Sequence, residues 1–305
     1  MSKSFDDIFK KVGSVSKKKV SVACAHDSAV LEAVEDARAK GIADAILVGD
    51  KAKMEEIAKA DGVDLSHFEV IDEPDNVAAA RKAVELVHNG EADMYMKGLI
   101  DTKSFLKSVL DKEVGLRTDK TLSHVCVFEL KGQDRLLFLS DVAFIPYPTL
   151  EDKVAIINNT VEIAEACGVM NPKVAPLAAV EVVNPKMPAT VDAGELTKMN
   201  EEGKITGCIV DGPLSLDIAI DKEAASHKGA DSRKIAGDAD ILLFPDIHAG
   251  NLVYKALTHL CECRNGNVMT GTKAPVILTS RSDSKEVKVN SLALAAAVAE
   301  HFQNK

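Results

Sequence analysis

The sequence predicts a doubly wound α/β protein made of two lobes with mainly parallel sheets. Three observations carry that expectation. The 305 residues exceed one typical domain and approach two. Short β-branched apolar runs alternate with longer amphipathic stretches, the change of period that marks repeated βα units. Most of the short runs are apolar on both faces, as strands are when helices cover both sides of a parallel sheet.

Taken in order, the strand runs are VSVACA (20–25), AILVGD (45–50), DMYMKG (93–98), SHVCVFEL (123–130), RLLFLSD (135–141), VAPLAA (174–179), ITGCIVDG (205–212), DILLFPD (240–246) and APVILTS (274–280). Between them lie helix patterns with recognisable starts and stops. SAVLEAVEDARAKG opens after Asp27 and Ser28 and closes at Gly41. Others are NVAAARKAVELVHNG, TKSFLKSVL, LEDKVAIINNTVEIAEACG, GNLVYKALTHLCECRNG and the terminal SKEVKVNSLALAAAVAEHF. The two prolines of FIPYPTL (144–150) mark a hinge between lobes, and NPKMPATVDAGE (184–195) reads as a surface loop. The last strand and helix are expected to return to the first sheet. The domains are then 1–146 plus 277–305, a discontinuous lobe, and 147–276.

Charge narrows the partners. With 37 basic and 47 acidic side chains the net charge is −10, which disfavours nucleic acid but leaves room for a small anion held by local donors. No run reaches 18 apolar residues, and MSKSFDDIFKKV lacks the core of a signal peptide, so no membrane partner and a cytoplasmic location are expected. Six cysteines sit mostly in apolar runs and read as buried thiols. Cys261 and Cys263, a lone C-x-C, make a poor zinc site, so no metal is expected.

Ligands of open α/β sheets sit beyond the carboxyl ends of the strands, so the polar strand-to-helix junctions are the candidate site. Lys97 and Gly98 lead to Asp101 and Thr102, one or other of which caps the next helix; a lysine beside helix-terminal N–H groups suits an anion. Ser123 and His124 open a strand. Asp211, Gly212 and Pro213 form a turn followed by Ser215 and Asp217. Asp246, Gly250 and Asn251 form another, with Asn251 suited to N-capping. The sharpest junction is Ser280-Arg281-Ser282-Asp283-Ser284, where a guanidinium fork and neighbouring hydroxyls converge before the final helix. Phosphate-loop, dinucleotide-fingerprint, serine-elbow and zincin motifs are absent.

In order, MKGLIDTKSFLKSVL, SDVAFIPYPTLEDKVAII, VDGPLSLDIAI, ADILLFPDIHAGNLVYKAL, GNVMTGTKAPVILTSR and NSLALAAAVAE resemble the phosphate acetyltransferase and phosphate butyryltransferase family from about residue 95 onward. Ser282-Asp283-Ser284 and DGPLSLD are similar to the butyryl branch. The resemblance implies a bilobal fold like that of isocitrate and isopropylmalate dehydrogenases, with an interlobe cleft. It also implies reversible transfer of a short acyl group between CoA and orthophosphate through a ternary complex. Acyl-CoA and phosphate are then substrates, no cofactor is permanently bound, and neither a metal nor a covalent acyl-enzyme takes part. The resemblance further implies a homo-oligomer built on dimers.

Carried over residue by residue, the resemblance puts Ser280 and Arg281 at the reacting centre, Arg281 on phosphate and oxyanion charge and Ser280 near the thiol or carbonyl. The acetyl enzymes' thiol base falls at Val287 here, leaving Glu286 or Asp283 as carboxylates that would substitute. An arginine of those enzymes falls at Lys107, which keeps the charge and loses the fork. Acetyl or other short-chain specificity, an acyl-CoA-binding sensor without turnover, and a metal-dependent decarboxylating dehydrogenase are the alternative readings. The absence of a clustered metal-binding Asp set counts against the last.

Overall fold

Alternation of strand and helix patterns becomes eleven strands and eleven α-helices in a computed structural model that describes residues 2–280 and 283–305. The chain runs α1 (Phe5–Gly13), β1 (Lys18–Ala23), α2 (Ser28–Ala39), β2 (Ala43–Gly49), α3 (Lys51–Asp61), β3 (Glu69–Asp72), α4 (Asn76–His88), β4 (Met94–Lys97), α5 (Thr102–Val109), β5 (Ser123–Leu130) and β6 (Leu136–Ser140). It continues with α6 (Leu150–Ala166), β7 (Lys173–Pro176), α7 (Pro188–Glu201), β8 (Ile209–Val210), α8 (Leu216–Ile220), α9 (Lys222–His227), β9 (Ile241–Leu243), α10 (Ile247–Leu260), β10 (Cys263–Thr270), β11 (Val276–Ile277) and α11 (Lys285–Gln303). The expected α/β class with a mostly parallel sheet is what forms.

The chain divides into two compact units. One joins residues 5–120 to 264–305, the other joins 1–4 to 121–263. These divisions lie at 120/121 and 263/264, where the sequence reading placed them at 146/147 and 276/277. Hydrogen bonding accounts for the difference. β5 and β6 form an antiparallel pair and β6 continues to β9, which ties 123–140 to the middle segment. β10 pairs with β11, which ties most of 264–276 to the terminal one. FIPYPTL therefore falls inside the 121–263 unit.

In the unit of residues 5–120 and 264–305 the strand order is β3-β2-β1-β4-β11-β10, parallel except for the β10–β11 pair. Its central strand β1 is buried on both faces apart from half-buried Lys19, as a doubly covered strand must be. α11 packs on α1, α2, β1 and β11, and every residue from Lys288 to Ala299 is buried. Tyr95 stacks on Phe105 at 4.6 Å, and its hydroxyl is satisfied by the Ala80 carbonyl and by Ser108.

In the unit of residues 121–263 the order is β5-β6-β9-β7-β8, with only β5 antiparallel. Phe128, Leu139, Leu242 and Phe244 anchor its core. Because β5 runs against β6, its first residues lie at the carboxyl edge of the parallel strands. That brings Ser123 and His124 to the same edge as the strand-to-helix turns.

Three local expectations are corrected. Residues 184–195 are largely helical, not a loop: α7 starts at Pro188, in the first turn, where proline's missing N–H costs nothing. The helix expected through residue 266 stops at Leu260, and Cys263–Thr270 is strand β10. The cap of α10 is Asp246, which accepts the His248 and Ala249 N–H groups, while Asn251 lies inside the helix.

Candidate active site

In the unit holding β4 and β11, the candidate residues collect at the carboxyl edge. β4 ends on Lys97, which is 4% exposed, with Nζ 3.4 Å from the Gly98 carbonyl oxygen. Gly98 is there because nothing larger fits: a Cβ would lie 2.3 Å from the Cys24 carbonyl oxygen and 2.5 Å from that of Ala23. Its N–H donates to Ala23 and the Leu99 N–H donates to Cys24, pinning the β4 turn to the end of β1. Asp101 caps α5 through the Ser104 N–H, and this bond holds its carboxyl below the usual range. Thr102 is the exposed first residue of the helix, not its cap. Lys107, also exposed, is in the last turn of α5, about 7.5 Å along the axis from Thr102 at ~1.5 Å per residue.

Beyond β11, Ser280 and Asp283 are tied to each other: the Ser280 N–H donates to Asp283 Oδ2 at 2.7 Å, and the Asp283 N–H returns to the Ser280 carbonyl at 3.1 Å. Ser284 then caps α11 through the Val287 N–H. Glu286 points to Arg264, whose Nε is 3.2 Å from its Oε1. Both candidate carboxylates thus have other partners. Arg281 and Ser282 lie outside the described residues. Lys288, one residue past Val287 and 3% exposed, donates to the Asp283 carbonyl at 2.6 Å. Desolvation pulls its pKa below the ordinary lysine value, opposed by Asp283 and Asp27.

In the unit of residues 121–263, Asp141 organises the edge, and sequence reasoning missed it. Its carboxylate is 3% exposed and accepts N–H groups from Ala143, Phe144 and Ile145 at 2.8 to 3.3 Å and from His124 at 3.2 Å. Gly250 lets α10 approach this loop, since a Cβ would stand 2.5 Å from the Asp141 carbonyl oxygen. Asn251 Nδ2 donates to the Val142 carbonyl at 3.1 Å. Ser123 is fully buried and its hydroxyl meets Asn159 Nδ2 at 3.0 Å. His124, Gly250 and Asn251 therefore belong to one cluster around residues 141–145.

Asp211, Gly212 and Pro213 form a second cluster. The Asp211 carboxylate takes a two-pronged bond from Arg233, Nη2 at 2.8 Å and Nε at 3.2 Å, plus the Ile235 N–H at 3.1 Å. Arg233 also reaches the Pro213 carbonyl, and Gly212 exchanges hydrogen bonds with Thr197. Asp211 is thus engaged in holding the turn together. Ser215 bonds Glu181 and Asp217, and Lys228 together with Ser215 pulls the Asp217 pKa down to about 2. Among the described residues no three His, Cys, Asp or Glu side chains gather as a metal site, and no helix is long and apolar enough to cross a membrane.

Parallel sheets covered by helices, with polar turns along their carboxyl edges, define a doubly wound α/β protein of the type that takes small ligands beyond its strand ends. The chain belongs to the Phosphate acetyl/butaryl transferase family, whose description matches residues 4–79 and 73–296. It is 58% identical to the phosphate butyryltransferase of Clostridium acetobutylicum over 299 residues, 98% of this chain and 99% of the relative. It is 45% identical to the phosphate acetyltransferase of Thermotoga maritima, over 92% of this chain and 95% of that one. A crystal structure of a branched-chain phosphotransacylase from Enterococcus faecalis superposes with TM-score 0.83 at 36% identity, covering 93% of this chain and 99% of that one.

Proposed function

We propose that this chain is a phosphate butyryltransferase, interconverting butyryl-CoA plus orthophosphate with butyryl phosphate plus CoA. The observation that carries the reading is the 58% identity to a phosphate butyryltransferase along essentially its whole length. A phosphate oxygen attacks the thioester carbonyl and the carbonyl oxygen takes up negative charge; the carbonyl then re-forms as the C–S bond breaks, and the leaving sulfur takes up the proton that orthophosphate loses, departing as the CoA thiol. Arg281 serves the phosphate and the oxyanion, with Ser280 hydrogen bonding near the sulfur or carbonyl. Lys97 and the β4 turn supply further positive field. Asp283, which accepts the Ser280 N–H, and Glu286, beside Arg264, are the carboxylates that would handle the thiol proton. A thiol with an ordinary pKa near 8.5 asks only modest help at neutral pH.

Butyryl-CoA mixed with phosphate releases free thiol, and the Ser280→Ala, Arg281→Ala double variant releases essentially none. Equal release by parent and double variant overturns the site; tight CoA binding with no release by the parent overturns turnover itself. A chain-length series decides the acyl group. One methylene is worth about 1 to 3 kcal/mol in an apolar pocket, so acetyl-CoA is turned over less well but measurably. The reading includes a cytoplasmic homo-oligomer built on a dimer, supported by α10, which leaves Leu252 and Leu260 exposed.

A further inference from the structure

The amino edge of the sheet in the unit of residues 5–120 and 264–305 holds a cavity of about 200 Å³ that the acyl-transfer reading leaves unused. β4 and β11 begin beside it and run to the opposite edge, where β4 ends on Lys97 and β11 stops shortly before Ser280. Strand β4 alone puts Lys97 about 13 Å from Asp93 at the cavity, at ~3.3 Å per residue. The cavity is therefore a separate place from the reacting centre.

Its walls are mostly small and apolar. Ala92, Pro275 and Ala299 are buried, and Ala274 and Phe302 are half-buried beside them. The polar groups of the wall are almost all engaged. Asp93 accepts the Lys19 N–H at 2.8 Å on Oδ2 and Gln303 Nε2 at 2.7 Å on Oδ1, while Gln303 Oε1 accepts from Lys18 Nζ at 2.7 Å. The N–H groups of Gly90, Ala92, Asp93 and Lys273 donate to the carbonyls of Val87, Leu86, Lys19 and Leu116. What remains is the exposed Lys273 ammonium, the one cation among the lining residues. It makes no hydrogen bond or ion pair with any described residue.

That inventory selects a ligand class. A phosphate asks for several donors converging on one centre, commonly backbone N–H groups, and the four named above are already given away. A neutral apolar molecule leaves the ammonium unused. The charge of Asp93 opposes a second carboxylate, so a dicarboxylate fits less well than a monocarboxylate. One free cation over a hollow of short apolar side chains suits a monocarboxylate with a short apolar tail, its head on Lys273 and its tail on Ala92, Pro275 and Ala299.

We propose that this cavity is a binding site for a short-chain monocarboxylate, held by Lys273. Butyrate, the acid that hydrolysis of butyryl phosphate yields, is the probe; that choice rests on the acyl-transfer reading, whereas the cavity does not. Saturation-transfer NMR on the full chain reads butyrate binding with and without excess butyryl-CoA, phosphate being absent so that no turnover occurs. Butyrate binds with a Kd on the order of 1 mM in the presence of butyryl-CoA, and 1-butanol and succinate bind about tenfold more weakly or worse. Lys273→Met keeps the stem, removes the charge at an exposed position and weakens butyrate about tenfold, while Lys273→Arg restores it. Ala299→Leu fills the hollow and weakens it too. Without added butyrate, kcat and KM for butyryl-CoA stay at the parent values in Lys273→Met. Equal butyrate binding by parent and Lys273→Met, butanol or succinate binding as well as butyrate, or loss of the Lys273-dependent signal on adding butyryl-CoA overturns the assignment. If Ala299→Leu does not fold, the two Lys273 variants decide alone. If the parent releases no thiol from butyryl-CoA and phosphate, the functional reading fails instead, and the comparison of parent with Lys273→Met still decides the cavity.

Discussion

The ammonium of Lys288 lies 2.6 Å from the carbonyl oxygen of Asp283, and the carboxylate of that same Asp283 holds the N–H of Ser280. A buried lysine in α11 therefore fixes the turn that carries Ser280, the serine proposed for the reacting centre. Lys288→Met leaves that carbonyl without its charged donor, and kcat for thiol release falls about tenfold while KM for butyryl-CoA changes little.

The same lysine gives a pH signature. Its native pKa is lowered from 10.5, so in alkaline solution the unfolded chain binds the proton that the native chain has lost, and native stability rises with pH across the window between the lowered value and 10.5. Relative to Lys288→Met, the parent protein gains stability as pH is raised through that window. Urea midpoints of the two proteins at a series of pH values from neutral upward measure it, and parallel curves sink the idea.

Asp141→Ala strips the acceptor from four backbone N–H groups at a buried position. The expected loss is about 3 kcal/mol or more of unfolding free energy, read from denaturant midpoints. Activity falls too, since His124 and the 141–145 loop lose their common anchor. Asp211→Asn makes the contrast: it weakens the Arg233 pair and costs about 1 to 3 kcal/mol, yet the folded fraction keeps its kcat, because Asp211 is committed to its own turn.

Gly98→Ala places a methyl against two backbone carbonyls that cannot move independently. Overpacking of this kind costs about 1 to 3 kcal/mol, and the shifted β4 turn also raises KM for acyl-CoA. Thermal unfolding and steady-state rates on one preparation test both effects.

Burial pushes the Cys24 thiol up to about 12 and the Cys208 thiol to about 11, whereas Cys261 is exposed. Iodoacetamide on the native protein at pH 8 therefore labels Cys261 first and leaves Cys24 and Cys208 unmodified until denaturant is added. Peptide mass mapping reads the order.

Much of this architecture is legible from residue pattern. SHVCVFEL matches β5 residue for residue, because its apolar centre VCVF is continuous and KGQD follows it as a turn. β3 stays hidden: EVID is an edge strand with no buried residue, so burial never selected an apolar run. β10 hides for a different reason, since CRNGNVMT buries Asn265, Asn267 and Thr270, which read as polar and therefore as loop or helix end. At the site, each turn is visible locally but its partner is not. Asp141 reads as the end of RLLFLSD, and nothing nearby in sequence announces that it will hold His124. Arg233 stands twenty-two residues from Asp211, and Lys288 reads as one of several polar residues in the first turns of α11 until its depth is known.

The unit built around β1 needs residues 264–305 as well as 5–120, and its most thoroughly buried helix, α11, lies in the later of these two segments. During synthesis the first hundred and twenty residues emerge with their central sheet missing two strands and its covering helix, whereas 121–263 emerges as one uninterrupted stretch. Vectorial folding is thereby inverted: residues 121–263 can mature first, while residues 5–120 wait, incomplete, for residues 264–305 to leave the ribosome.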